Sequence, residues 1–163
     1  MLNREKTIKQ LADAYFNMLS TLGTSLNDSN IYAGLREGLN KFLSNLAIKL
    51  NGKYTTESAD YISCEALAQI KKHDLSELVY EHMVPKEKYI QSVCLNKAMQ
   101  GTLTYQDVYE LLDKYWFIAI ITKSENLQLN LAGLRSTMPK DWDGKNIFAR
   151  YNHIDIHLHF VKF

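Results

Sequence analysis

Two prolines and seven glycines in 163 residues leave the chain with few residues that break regular structure. That scarcity favours long helices over many short strands. Cysteine is equally sparse: Cys64 and Cys94 stand far apart and fit no zinc or redox spacing, which points to a reduced, cytoplasmic protein. Neither sign of charge dominates, since 19 Lys and Arg oppose 18 Asp and Glu for a net +1. A broadly basic nucleic-acid coat or a polybasic membrane anchor is thereby excluded, although a local patch is not. The longest strictly apolar run, Trp116 to Ile121, is six residues, against the roughly 20 that a membrane span needs. The polar start Met1-Leu-Asn-Arg-Glu-Lys has no apolar stretch of the kind found in a secretory signal. No Gly-rich phosphate loop, nucleophile elbow or HExxH motif occurs. What remains is an ordinary globular composition, 46% apolar and 23% charged, at the size of one domain.

Apolar residues recur at three- and four-residue steps through Ile8, Leu11, Tyr15, Met18, Leu19 and Leu22, which predicts a helix from about Arg4 to Leu22 stopped by Gly23. Asp28 or Ser29 caps a second helix through Ile31, Leu35, Leu39, Phe42, Leu46 and Leu50, closed by an Asn51-Gly52 turn. Neighbouring amphipathic helices joined by a short loop form a hairpin. Ser63 is the expected cap of a third helix to Lys72. Leu78 to Val84, β-branched and aromatic and ended by Pro85, reads as a short strand. Tyr89 to Gln100 reads as a helix ended by Gly101, and Thr104 with Asp107 forms a capping box opening a helix to about Lys114. Trp116 to Thr122 is the clearest strand, apolar throughout and so buried on both faces. Ser124 is the expected cap of a helix through Leu127, Leu131 and Leu134 to near Pro139, followed by a structured loop from Met138 to Arg150. The strict alternation Ile154-Asp-Ile-His-Leu-His-Phe160 predicts a half-buried final strand. The expected class is α+β, an N-terminal helical hairpin plus a small β-sheet with flanking helices. It is expected within a single domain 1–163, mainly helical over 1–75, with a strand–insertion–strand–helix unit and a C-terminal strand over 76–163.

Glu81-His82 ends a strand just before a proline turn, and a later strand leads to Asn126 at the start of a helix. The chemistry that uses such residues is metal-assisted hydrolysis: an imidazole takes a proton from water, and a hard cation held by oxygen donors stabilises the leaving oxyanion. These residues resemble the His-Me finger (HNH) endonucleases. Glu81-His82-Met83-Val84-Pro85 is similar to that family's first strand, and Glu125-Asn126-Leu127-Gln128-Leu129 to its asparagine–leucine step into the metal-binding helix. The resemblance implies cleavage of DNA or RNA with Mg²⁺ or another divalent cation. It makes His82 the general base, Glu81 a metal ligand and Asn126 the residue that orients the imidazole. The family's last ligand position falls on Leu134 and Arg135, neither a donor for a hard cation, so Asn130, one turn after Asn126, is the substitute. The two predicted helices between His82 and Asn126 replace a short connection, and the family's zinc-knuckle cysteines are missing. Without the resemblance, Glu81 and His82 read as residues that cap or hydrogen-bond a buried turn.

Three of the five histidines lie near the C-terminus. Asp155, His157 and His159 share one face of the predicted strand, and residues two apart there are about 7 Å apart, close enough to share a Zn²⁺. The competing reading is the solvated face of an edge strand. Arg135, Lys140, Trp142, Lys145 and Arg150 mix cations with aromatics, as a nucleic-acid contact does. Asp141 and Asp143 weaken that field, and Trp and Arg equally anchor protein contacts. Cys64 and Cys94 have no base nearby in sequence and read as small buried apolar residues. Two functions therefore compete: an HNH-like nuclease, or a non-catalytic binding protein, such as an inhibitor or immunity-type partner from a mobile element, acting through a protein–protein surface.

Overall fold

Helix α1, Arg4–Leu22, forms where the three- and four-residue spacing places it, and Ile8, Leu11, Ala12, Tyr15 and Leu19 make its buried face. A 3₁₀ turn, Gly23–Asn27, leads to α2, Ser29–Asn51. The Asp28 carboxylate caps α2 by accepting from the backbone N–H groups of Asn30 at 2.8 Å and Ile31 at 3.2 Å. The structure, a computed structural model, describes residues 4–51 and 59–161, so Gly52 of the expected turn after α2 lies outside the described residues. The chain gathers into two compact units, one from Leu2–Lys53 with Lys86–Tyr115 and the other from Tyr54–Pro85 with Trp116–Phe163. The compact units thus divide the chain differently from a boundary at 75: residues 59–74 belong with the sheet, and 86–115 belong with the N-terminal helices.

In the helical unit, α1 and α2 are joined by a π-helical turn, Glu87–Gln91, by α4, Ser92–Met99, and by α5, Tyr105–Tyr115. Gln91 is buried, and its amide donates to the carbonyls of Leu39 at 3.0 Å and Asn40 at 3.1 Å, tying the π turn to α2. Gly101, at φ +69°, ends α4 in a left-handed conformation that a side chain would resist. The expected Thr104–Asp107 capping box is present: the Thr104 hydroxyl accepts from Asp107 N at 3.1 Å, and Asp107 Oδ2 accepts from Thr104 N at 3.0 Å.

The sheet unit has four strands in the order β2-β3-β1-β4: β1 Tyr61–Ser63, β2 Leu78–His82, β3 Ile118–Thr122 and β4 Leu158–Phe160. β3 lies antiparallel to β2, from Leu78 opposite Thr122 to His82 opposite Ile118, and parallel to β1. The unbroken apolar run is explained by burial on both faces. Ala119 and Ile121 pack with Met83, Leu129, Tyr151 and Ile156 on one side, while Ile120 packs with Ile62 and Ala66 on the other. Each buried isoleucine, leucine or methionine side chain among these contributes about 1.5–3 kcal/mol of burial free energy. The layers are completed by α3, Cys64–Lys71, α6, Lys123–Leu131, and α7, Ala149–His153. The architecture is α+β, a helical part with a small mixed sheet and flanking helices, and among the described residues no helix is long and apolar enough to cross a membrane.

Three local expectations are corrected, and one strand is new: β1 has only three residues and carries no periodic signal in the sequence. The helix after β3 is capped by Thr122, not Ser124, and stops at Leu131 because Gly133 turns the chain at φ +73°. The loop to Arg150 closes with α7. The final strand shrinks to Leu158–Phe160, because Asp155 adopts φ +58° in a turn and breaks the alternation.

Candidate functional site

The end of β2 is organised by Arg150. Its side chain is fully buried and reaches from α7 to the strand end, where each of its five guanidinium N–H groups finds an acceptor. Nε donates to the Met83 carbonyl at 3.1 Å, and Nη1 to the carbonyls of Leu134 at 2.7 Å and Arg135 at 3.2 Å. Nη2 donates to Glu81 Oε1 at 2.9 Å and to the His82 carbonyl. The His82 ring sits edge-on against Trp116, with centroids 4.6 Å apart. A buried cation thus closes the strand end and takes up the Glu81 carboxylate. Arg150 was expected on a binding surface; it faces inward, with its hydrogen-bonding capacity spent inside the fold.

α6 follows the other end of β3. Because Thr122 is opposite Leu78 and Ile118 is opposite His82, the helix begins four strand positions from His82, roughly 13 Å along the sheet. Asn126 lies in its first turn and Asn130 one turn later, both half-buried, and the buried Asn130 amide oxygen has no hydrogen-bond partner among the described residues. Glu125 is buried, and its Oε2 accepts from Thr122 N at 2.7 Å, Thr122 Oγ1 at 3.0 Å and Ser63 Oγ at 2.7 Å. Ser63 Oγ in turn accepts from Ala66 N at 3.0 Å, so one carboxylate ties together the N-terminal caps of α3 and α6. Among the described residues, no group of three or more His, Cys, Asp or Glu side chains is arranged to hold a metal ion. The residues at His82 do not fit a divalent cation either, since the Glu81 carboxylate there is bound to a guanidinium.

The C-terminal histidines separate. His157 Nε2 is 3.4 Å from Asp155 Oδ1 in an exposed turn, whereas His159 Nε2 is 3.0 Å from Cys64 Sγ. Asp155, His157 and His159 therefore do not share the strand face expected of a Zn²⁺ site. Cys64, expected to be buried, is exposed; Cys94, on α4, is buried as expected. The Cys64–His159 pair was hidden from sequence reasoning because it spans 95 positions and depends on β1. Its one visible signal was the Ser63 cap, which puts Cys64 at the first position of a helix.

Arg135, Lys140 and Lys145 are exposed, and Trp142 is half-buried with its indole N–H donating to the Asn146 carbonyl at 2.8 Å. Trp142 lines an open cleft of about 420 Å³ with Asp141, Asp143, Asn146 and His153. The backbone N–H groups of Asn146 and Lys145 hold the Asp143 carboxyl below its usual range. The cleft is therefore acidic where a phosphate backbone requires cations. Comparison with protein-family models, with curated proteins and with solved structures finds no match.

Proposed function

We propose that this chain works by binding a partner protein rather than by metal-dependent phosphodiester cleavage. The observation that carries this reading is Arg150, whose buried guanidinium takes the Glu81 carboxylate and the His82 carbonyl. A nuclease of the HNH kind needs that carboxylate for its cation and an imidazole open to water. Here the acid, the carbonyls and the ring serve the strand end. The outer face of α6 supports a binding role, because Leu127 and Leu131, one turn apart, are 55% and 80% exposed. Paired exposed leucines on one helix face are the kind of apolar surface that a partner covers.

The test compares wild type, His82→Ala and Leu127→Glu/Leu131→Glu. Supercoiled plasmid DNA and structured RNA are incubated with each protein in Mg²⁺ or Mn²⁺, and complexes formed in the native cell are isolated by cross-linking. The expected outcome is no metal-dependent cleavage, with a defined heteromeric complex that survives His82→Ala and is lost in the double variant. Cleavage that falls by about a hundredfold or more in His82→Ala, the loss expected for a general base, overturns the proposal and restores the nuclease.

A further inference from the structure

Cys64 and His159 bring a nucleophile and a base together from opposite ends of the sheet unit. Cys64 is the first residue of α3, immediately after the Ser63 cap, and His159 is the middle residue of the edge strand β4. The antiparallel register places His159 opposite Ile62, two residues before Cys64. Strand pairing itself therefore delivers the imidazole to the thiol, and Sγ lies 3.0 Å from Nε2. We propose that Cys64 is a nucleophilic thiol, armed by His159, and that it is a site of covalent modification by small disulfides.

The pair has what thiol–disulfide exchange requires. The imidazole accepts the thiol proton, and the resulting imidazolium then donates to the thiolate. The start of α3 adds the partial positive charge of a helix N-terminus beside the sulfur. Acids on the adjoining elements are Glu65, next on α3, and Glu125, which binds Ser63 Oγ rather than the pair. Both partners are solvent-exposed, so a small disulfide reaches the sulfur from outside. The other thiol is its opposite: Cys94 is fully buried, and burial pushes it up to about 12.

In the reaction the thiolate of Cys64 attacks one sulfur of the disulfide. The old S–S bond breaks as the new one forms, and the leaving thiolate takes the proton from the His159 imidazolium. The Cys64 sulfur is oxidised, the departing sulfur is reduced, and the disulfide is the oxidant. Cys64 is the sheet unit's one cysteine, so the mixed disulfide is the end product within that unit.

The full chain is treated with the aromatic disulfide dithiobis-nitrobenzoate for rates and with glutathione disulfide for product mass and peptide mapping. Wild type is compared with Cys64→Ser, His159→Ala and His159→Gln, all checked for fold by circular dichroism. One thiol per chain should react in a fast phase that maps to Cys64 and disappears in Cys64→Ser. Both His159 variants should slow it by about tenfold at neutral pH. His159→Gln fills the same place without a base, so a merely structural histidine would leave its rate and pH profile at wild-type values. That result, or a fast phase mapping to Cys94, overturns the proposal.

Discussion

Two histidines on strands of one small sheet have been put to opposite uses. His82 ends β2 where Arg150 binds its carbonyl, and its ring packs on Trp116. His159 lies exposed on an edge strand, with its Nε2 3.0 Å from an exposed thiol. The first stands in the more suggestive sequence, Glu-His-x-x-Pro, and the second in an alternation that reads as the outer face of a strand. What separates them is the supply of polar partners inside the fold. At the end of β2 a guanidinium and four carbonyls satisfy one another, which leaves an acid–histidine pair with structural work. At the start of α3 the cap is satisfied by Ser63, and the next side chain is left to react.

The sharpest way to break this contrast is to remove the cation. Arg150→Met leaves the Glu81 carboxylate and four carbonyls without their donor. Removing one partner of a buried ion pair costs about 3–5 kcal/mol, so a large loss of sheet-unit stability is expected. Trp116 and Trp142 are the chain's two tryptophans and both lie in that unit, so urea unfolding followed by tryptophan fluorescence reports it directly. Glu81→Gln, which keeps an acceptor, should cost less, about 1–2 kcal/mol. An Arg150→Met protein as stable as wild type would show that the strand end does not depend on the guanidinium.

The buried carboxylate beside the open pair comes next. Glu125→Ala strands the donors of Thr122 and Ser63 and should cost about 1–3 kcal/mol. Because Ser63 caps the helix that presents Cys64, this change should also alter the rate of thiol modification, whereas His82→Ala should not. Equal thiol rates in both variants and wild type would separate the α3 cap from Cys64 reactivity.

Much of this arrangement was readable in advance, and the omissions have physical causes. Helical periodicity exposed α1 and α2, and continuous apolarity exposed β3, because burial leaves its mark on every residue of a long element. The Thr104–Asp107 box was readable because capping chemistry is local. Thr122 escaped although Thr122-Lys-Ser-Glu125 carries the capping-box spacing that Ser124 lacks, because Thr122 also ends the apolar strand; the Glu125 side chain turning back to Thr122 N completes the box. Arg150 was read as a surface cation since charged residues are rarely buried without partners, and its partners came from Glu81, Met83 and Leu134, all distant in sequence. The alternation at 154–160 was a real pattern, but a left-handed turn at Asp155 overrode it.

A smaller effect separates the histidines themselves. His82→Ala removes an aromatic contact, worth about 0.5–1.5 kcal/mol beyond area burial, from a half-buried position. His159→Ala removes an exposed ring, and surface changes of that kind stay within about 0.5 kcal/mol. Urea midpoints should therefore shift for His82→Ala and scarcely move for His159→Ala, while thiol reactivity should respond in the reverse order. If both measurements moved together, the two histidines would not be doing separate jobs.

The helical unit provides the smallest test, an acid held at the surface rather than inside. Asp107 is bound by the Lys97 ammonium and by the hydroxyl and backbone N–H of Thr104. These hold its carboxyl down to about 2, from an ordinary 3.8. A depressed carboxyl contributes stability that is present above its unfolded value and is lost as pH falls through the folded one. The contribution should therefore be intact above about pH 4 and fade between about 4 and 2. With its side chain 24% exposed and that of Lys97 40% exposed, solvent screens the pair and the effect stays small. Thermal melts by far-UV circular dichroism at the two ends of that window should show a larger acid loss for wild type than for Asp107→Asn, which has no proton to gain. Equal losses would mean that the carboxylate is held no more firmly when folded than when unfolded. The surface acid would then contribute nothing that acid can remove.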